Sequence, residues 1–222
     1  MVEREAPERR PVEVLAALRR EYARAGLTEA ELAPDPTTQF RRWLAEAIAA
    51  DLVEPNAMLL ATAGADGAPS ARTVLLKDVG EAGFTFFTNL GSRKGRELAA
   101  NPRASLVFPW HVLDRQVTVV GAVVRVPDDA ADAYFAARPR EAQLGAWASD
   151  QSRVIGGREE LAARLAETAR RFAGEVSRPP HCGGFTVVPA TVEFWQGRPG
   201  RLHDRLRYRA ASGGWVVERL AP

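Results

Sequence analysis

The sequence predicts an α+β fold in a single domain spanning 1–222, and three observations carry that prediction. Apolar residues recur at helical spacing before residue 50, the period drops to two from Ala57 onward, and helical spacing returns only in short insertions between strands. No internal repeat, low-complexity tract or long linker interrupts the chain. A helical segment 1–50 and a strand-rich part 57–222 with inserted helices are therefore read as one unit.

Residues 11–25 (PVEVLAALRREYARA) show helical spacing through Val14, Leu15 and Leu18, with Gly26 as the stop. Asp35 before Pro36 reads as an N-cap with proline at the first helical position, opening a helix whose core stripe is Phe40, Trp43, Leu44 and Ile48. MLLATA, a turn at Asp66-Gly67 and SARTVLLK form a hairpin, and GFTFFTN adds a third strand. On the second strand Arg72, Val74 and Leu76 share one face. Thr73, Leu75 and Lys77 share the other, so Lys77 ends the strand on a largely apolar face. Ser92 is placed to cap a helix through Glu97, Leu98 and Ala99. ASLVFPW and RQVTVVGAVVRV follow as strands, with Gln116 at the start of the second. A helix over 128–137 carries Tyr134, and residues 139–153 read as polar and irregular, with Gln151 and Ser152 as hydrogen-bonding groups. An amphipathic helix over 158–172 turns Leu161, Leu165, Ala169 and Phe172 inward. GGFTVVPATVEFWQG, the segment Arg201 to Arg205, and Trp215 to Leu220, which closes the sheet, supply the last strands.

Composition excludes several functions. A net charge of +2 is too small to hold nucleic acid by bulk attraction. No run of about 18 apolar residues exists, and the first residues, MVEREAPERRP, are charged rather than signal-like, so a cytoplasmic protein away from the membrane is expected. The single cysteine, Cys182, excludes an internal disulfide or a cysteine-based metal cluster. With His111, His181 and His203 far apart, no metal is expected. Only Lys77 and Lys94 among 30 basic residues are lysines. Where arginine is otherwise the rule, a retained lysine marks a place suited to a compact ammonium, although chance composition would give the same two residues.

Three patterns point to anion binding. In FWQGRPGRLHDR, residues 194–205, period two sets Arg201, His203 and Arg205 on one strand face. Such a row repels itself unless something flat and anionic covers it; a solvated edge strand that discourages association carries the same pattern. After Thr88, the run Ser92-Arg93-Lys94 puts two cations in the first turn of a helix, against the positive end of its dipole. A phosphate on the free N–H groups, clasped by Arg93 and Lys94, resolves that conflict, and a surface helix can also simply tolerate it. The phosphate-loop and dinucleotide-binding glycine patterns are absent. Tyr134 and Arg138, four residues apart, suit a second phosphate as well as they suit an ordinary surface stack.

Taken together, RTVLLK, FFTNLGSRK, SLVFPWHVLDRQV, YFAARPR, GAWASDQS, EFWQG, RLHDR and the terminal RLAP resemble, in order, the pyridoxine/pyridoxamine 5′-phosphate oxidase family, over nearly the whole chain from LRREY onward. The resemblance implies a split β-barrel of Greek-key type with surrounding helices. It implies a homodimer with FMN in clefts at the subunit interface. It implies oxidation of pyridoxine 5′-phosphate or pyridoxamine 5′-phosphate to pyridoxal 5′-phosphate, with O2 as acceptor and H2O2 as product. FMN contacts are implied at Arg72, Val74, Leu75, Lys77, Phe87, Thr88, Arg93, Lys94, Gln116, Gln151, Ser152, Trp195 and Arg205. The B6 phosphate ester falls to Lys77, Tyr134, Arg138, Arg201 and His203, with Arg201 and His203 catalytic, and Arg19 to Tyr22 match a segment that covers the substrate. Three residues depart from the family pattern: Phe87 stands for a common Tyr, Ala142 for a frequent Ser on the substrate phosphate, and Cys182 for a usual Trp. Two other readings share the resemblance: a flavin oxidase acting on another substrate such as a phenazine precursor, and a non-catalytic flavin- or pyridoxal-phosphate-binding protein. Neither nucleic acid nor membrane is expected as a partner.

Overall fold

The computed structural model describes Tyr22 and residues 26–222; the helix expected over 11–25, with Arg19, lies outside the described residues. Nine antiparallel strands form one sheet: β1 (Ala57–Ala63), β2 (Pro69–Leu75), β3 (Asp78–Gly80), β4 (Gly83–Asn89), β5 (Arg103–Trp110), β6 (Arg115–Arg125), β7 (Cys182–Gln196), β8 (Asp204–Ala211) and β9 (Gly214–Arg219). The order is β2-β1-β5-β6-β7-β4-β3, with β8 also on β7 and β9 on β8.

The long strand β7 is the spine. It pairs with β6 from Phe185 to Gln196, with β4 over its first half (Cys182 to Val187) and with β8 over its second (Thr191 to Gln196). The handover falls at Val188-Pro189, where proline offers no N–H to a ladder. The β6–β7 register shifts there, between Val120 and Gly121. A Cβ on Gly121 would lie 1.9 Å from the Val188 carbonyl oxygen, so this crossing admits only glycine.

Alternate residues of the strands build the core: Met58 and Leu60, Phe84 and Phe86, Leu106 and Phe108, Val117 and Val119, Val192 and Phe194, Leu206 and Tyr208 are all buried. The helix α1 (Pro36–Ala49) covers them, and the Asp35 carboxylate accepts from the Thr38 amide at 2.8 Å, as the sequence predicts for its cap. Phe40 meets Phe84 and Phe108 edge-on at 4.9 and 4.7 Å. The remaining helices are α2 (Arg93–Ala100), α3 (Asp128–Ala136), α4 (Arg140–Ala148) and α5 (Arg158–Arg171). No described helix is long and apolar enough to cross a membrane.

Several expectations are corrected. Ile48 is 59% exposed, since α1 already fills its contact face with Phe40 and Trp43. The strand β2 stops at Leu75, because the Leu76 and Lys77 amides turn to the carbonyls of Asn56 and Thr85; Lys77 is exposed between β2 and the short β3. The stretch 139–153 is not irregular: Pro139 starts α4, which buries Leu144 and Ala148. Arg138 lies beyond the end of α3, because a residue before proline is disfavoured in helix. In α5 the inward face is rotated by one residue: Thr168 is buried, while Leu161 and Leu165 are 38% and 41% exposed and Ala169 is exposed. The strand expected from Arg201 begins only at Asp204. Gly200 and Arg201 adopt φ of 65° and 62°, so Arg201, His203 and Arg205 do not share one strand face. The strand β9 pairs with β8 alone and so extends an edge rather than closing the sheet.

The buried Tyr208 hydroxyl donates to the Ala33 carbonyl at 2.7 Å, tying the sheet to the approach of α1. Tyr208→Phe leaves that carbonyl without its donor and is expected to lower stability by about 1–3 kcal/mol, read as a shift in urea midpoint without a change in slope.

Candidate functional site

A cleft of about 810 Å³ opens between β2, the end of β4, the start of α2, α3, α4 and the loop after it. It is lined by twelve of the residues that the sequence marks: Arg72, Val74, Leu75, Lys77, Phe87, Thr88, Arg93, Lys94, Tyr134, Arg138, Gln151 and Ser152. Ala142 and Cys182, two of the three departures, line it as well.

At one side lies the N-terminus of α2. The Ser92 hydroxyl accepts from the Gly95 amide at 3.3 Å, and a Cβ on Gly95 would sit 2.1 Å from the Leu90 carbonyl oxygen, so glycine lets the first turn press against the incoming loop. That turn buries Lys94, only 7% exposed, with its ammonium donating to Gln151 Oε1 at 2.7 Å, Thr88 Oγ1 at 3.0 Å and Ser92 Oγ at 3.3 Å. All three acceptors are neutral. Burial, reinforced by the nearby Arg72 cation, pushes Lys94 down to about 8.

Next to it runs a network that sequence reasoning missed. Arg72 donates to the Leu60 carbonyl at 3.2 Å, to Thr62 Oγ1 at 2.5 Å and to Ser70 Oγ. Glu97 of α2 accepts from Thr62 and Ser70, both at 2.6 Å, from Arg72 at 3.3 Å and from Arg93 at 2.8 Å. Burial opposes ionisation of Glu97, yet the hydrogen bonds and the Arg72 charge outweigh it and hold the carboxyl at about 2. Only the spacing of Arg93 and Glu97, one helical turn apart, could have signalled part of this.

The opposite side carries Tyr134 and Arg138. The Tyr134 ring stacks on Phe87, with centroids 3.8 Å apart and planes 6° from parallel. Burial raises the phenol, which stays a neutral O–H donor. Arg178, also missed, donates to Asp132 at 2.5 Å, Asp128 at 3.1 Å and the Cys182 carbonyl at 2.6 Å, pinning α3 to the start of β7. Burial raises the Cys182 thiol, so it lines the cleft in protonated form.

A second group of marked residues stands apart from this cleft: Gln116, Trp195, Arg201, His203, Arg205 and Tyr22 do not line it. Gln116 pairs with Trp195, and Trp195 with Arg205, which makes one row across β6, β7 and β8. Arg205 is held by a two-pronged ion pair to Glu193 at 2.7 and 3.0 Å. Tyr22 packs edge-on against Trp195 and His203 at 5.7 and 5.3 Å. The Arg198 amide donates to His203 Nδ1 at 3.1 Å, so the neutral imidazole carries its proton on Nε2. Arg201 is exposed on the turn beside them.

A family model described as pyridoxamine 5′-phosphate oxidase matches residues 44–171, and one described as the pyridoxine 5′-phosphate oxidase C-terminal dimerisation region matches 183–222. The chain belongs to the pyridoxamine 5′-phosphate oxidase family. Relatives named pyridoxine/pyridoxamine 5′-phosphate oxidase include those of a Nocardioides species, 61% identical over 94% of this chain and 98% of the relative, and Rubrobacter xylanophilus, 59% identical over 94% and 96%. Among solved structures, PhzG from Burkholderia lata in complex with tetrahydrophenazine-1-carboxylic acid is 33% identical, with a TM-score of 0.83 over 88% of this chain and 98% of that one. A pyridoxamine 5′-phosphate oxidase-related, FMN-binding protein from Nostoc punctiforme matches the fold, with a TM-score of 0.66 at 18% identity over 86% and 100%. The curled antiparallel sheet with its helices is thus the family's split β-barrel, and the region that carries Trp195 to Arg205 falls within its dimerisation module.

Lys94 gives this family member a pH signature. Its folded value is depressed, so its burial costs stability below about 8, and that cost fades as pH rises towards the ordinary 10.5. A phosphate ester bound beside Lys94 would reverse the preference by stabilising the ammonium. Affinity for a phosphate ester is therefore expected to fall as pH rises above about 8, by at most about tenfold per unit. Lys94→Gln should flatten that slope in titration calorimetry.

Proposed function

We propose that this chain is an FMN-dependent oxidase that converts pyridoxine 5′-phosphate or pyridoxamine 5′-phosphate to pyridoxal 5′-phosphate, with O2 as acceptor and H2O2 as product. The observation that carries the reading is one cleft with two separately built cationic groups, Arg72, Arg93 and Lys94 on α2's side and Arg138 with Tyr134 on the other. Two phosphate-bearing ligands account for two such groups; the identity to relatives of that name supports the choice.

The residues present fit a flavin phosphate. Lys94 is a buried cation among neutral oxygens at a helix N-terminus, a setting that an anion relieves. Arg72, Thr88, Arg93 and Lys94 would hold that phosphate, with Gln151 and Ser152 beside it. Bound FMN supplies a hydride-accepting ring that passes the electrons to O2. Lys77, Tyr134 and Arg138 would neutralise the B6 phosphate, so that binding energy remote from the reacting carbon fixes its orientation. For the amine substrate, water releases ammonia from the oxidised carbon.

Arg201 and His203 would then align the pyridine ring, with His203 donating from Nε2 to its phenolate oxygen. They stand apart from the cleft of their own chain, and the match to a dimerisation region supports a homodimer in which each cleft is completed by the other subunit's Gln116, Trp195, Arg201, His203 and Arg205. A cytoplasmic location is proposed on the lone cysteine, which suits a reducing compartment. A second reading, oxidation of a phenazine precursor, is favoured by Ala142, which brings no hydroxyl to the cleft, and by the fold shared with PhzG.

Oxygen uptake by the purified chain with FMN separates these readings. Pyridoxine 5′-phosphate is expected to be turned over and unphosphorylated pyridoxine to be nearly inert; equal rates would favour the other substrate class. Arg201→Ala should depress kcat/KM at least about a hundredfold while the protein still purifies yellow. Mixing Arg201→Ala with Lys94→Ala subunits should restore about a quarter of the wild-type sites, the statistical share for a cleft built from two chains. No recovery on mixing would place both residues in the same subunit's site.

A further inference from the structure

Glu97 does not line the cleft, yet its partners Ser70, Arg72 and Arg93 all do. Its carboxylate is 11% exposed, and its two oxygens divide the work. One accepts from Thr62 on β1 and from Ser70 and Arg72 on β2; the other accepts from Arg93 Nε, one turn earlier on α2. A single carboxylate therefore sets the orientation of two guanidinium groups that arrive on different elements. Without it, Arg72, Arg93 and Lys94 would face one another as three like charges with no ordered counter-charge among these bonds. With it, the group keeps a net charge of two, which matches a phosphate dianion.

We infer that Glu97 is a positioning residue: from behind the cleft wall it aims Arg72 and Arg93 at the phosphate of the bound flavin nucleotide and balances the charge that meets it. The inference rests on the cofactor reading proposed above and deepens it. A carboxylate kept for mere attachment of α2 to the hairpin would serve any flavin alike. A carboxylate that aims the two arginines serves only a flavin with a phosphate.

The test compares FMN with riboflavin, which lacks the phosphate, by quenching of flavin fluorescence on titration into the flavin-free full chain. Glu97→Ala is expected to weaken FMN binding about 10- to 100-fold and riboflavin binding less than about twofold. Equal weakening of both flavins, or no loss for FMN, overturns the inference. Should Glu97→Ala not fold, Glu97→Gln, which keeps the volume and loses the charge, decides by the same ratio. Its expected loss is about threefold or more for FMN alone, and an unchanged ratio overturns the inference. A parent protein that binds FMN no better than riboflavin refutes the cofactor reading itself, a result distinct from either variant's.

Discussion

The burial of one ammonium at the start of a helix is the constraint on which the site depends. Lys94 is surrounded by three neutral oxygens, has a guanidinium nearby and faces the positive end of α2. Burial, the nearby guanidinium and the helix end oppose a positive charge there, whereas the three oxygens, supplied by β4, the cap of α2 and the loop after α4, accept its hydrogen bonds and favour it. A bound anion would offset the opposing contributions. In the proposed site the same cation that weakens the folded chain would attract the anion, which is how a binding site stores in advance the preference it later uses.

Around that point the split barrel divides its labour. The β1–β2 hairpin and α2 hold the first cationic group, while α3, locked to β7 by Arg178, presents Tyr134 and Arg138. The row Gln116, Trp195 and Arg205 crosses three strands away from the cleft, with Arg205 already matched by Glu193. Pro189 and the Gly121 crossing make this division possible, because there β7 leaves β4 and takes up β8. In the proposed homodimer, the two halves of the site meet across the subunit boundary, so assembly and activity are coupled through the same strands.

Legibility in the sequence followed the range of the interaction. The Asp35 and Ser92 caps, the hairpin, the strands on either side of Trp110 and the cations of the first turn of α2 are signals within a few residues, and the structure has them where the sequence places them. Element ends were harder. Positive φ at Gly200 and Arg201 broke the expected strand, Pro139 parted Arg138 from α3, and the inward face of α5 was chosen by its neighbours rather than by its own leucines.

By itself the sequence determined the α+β class, the family through its ordered motifs, and which side chains carry charge into the site, because period, caps and residue chemistry are local properties of a chain. The tertiary structure alone decided which of those side chains meet. The contact of Glu97 with Ser70, that of Arg178 with Asp132, the stack of Phe87 on Tyr134 and the separation of Trp195 from the cleft join or divide residues tens of positions apart. Such neighbours are set by sheet order and register, and no local spacing encodes them.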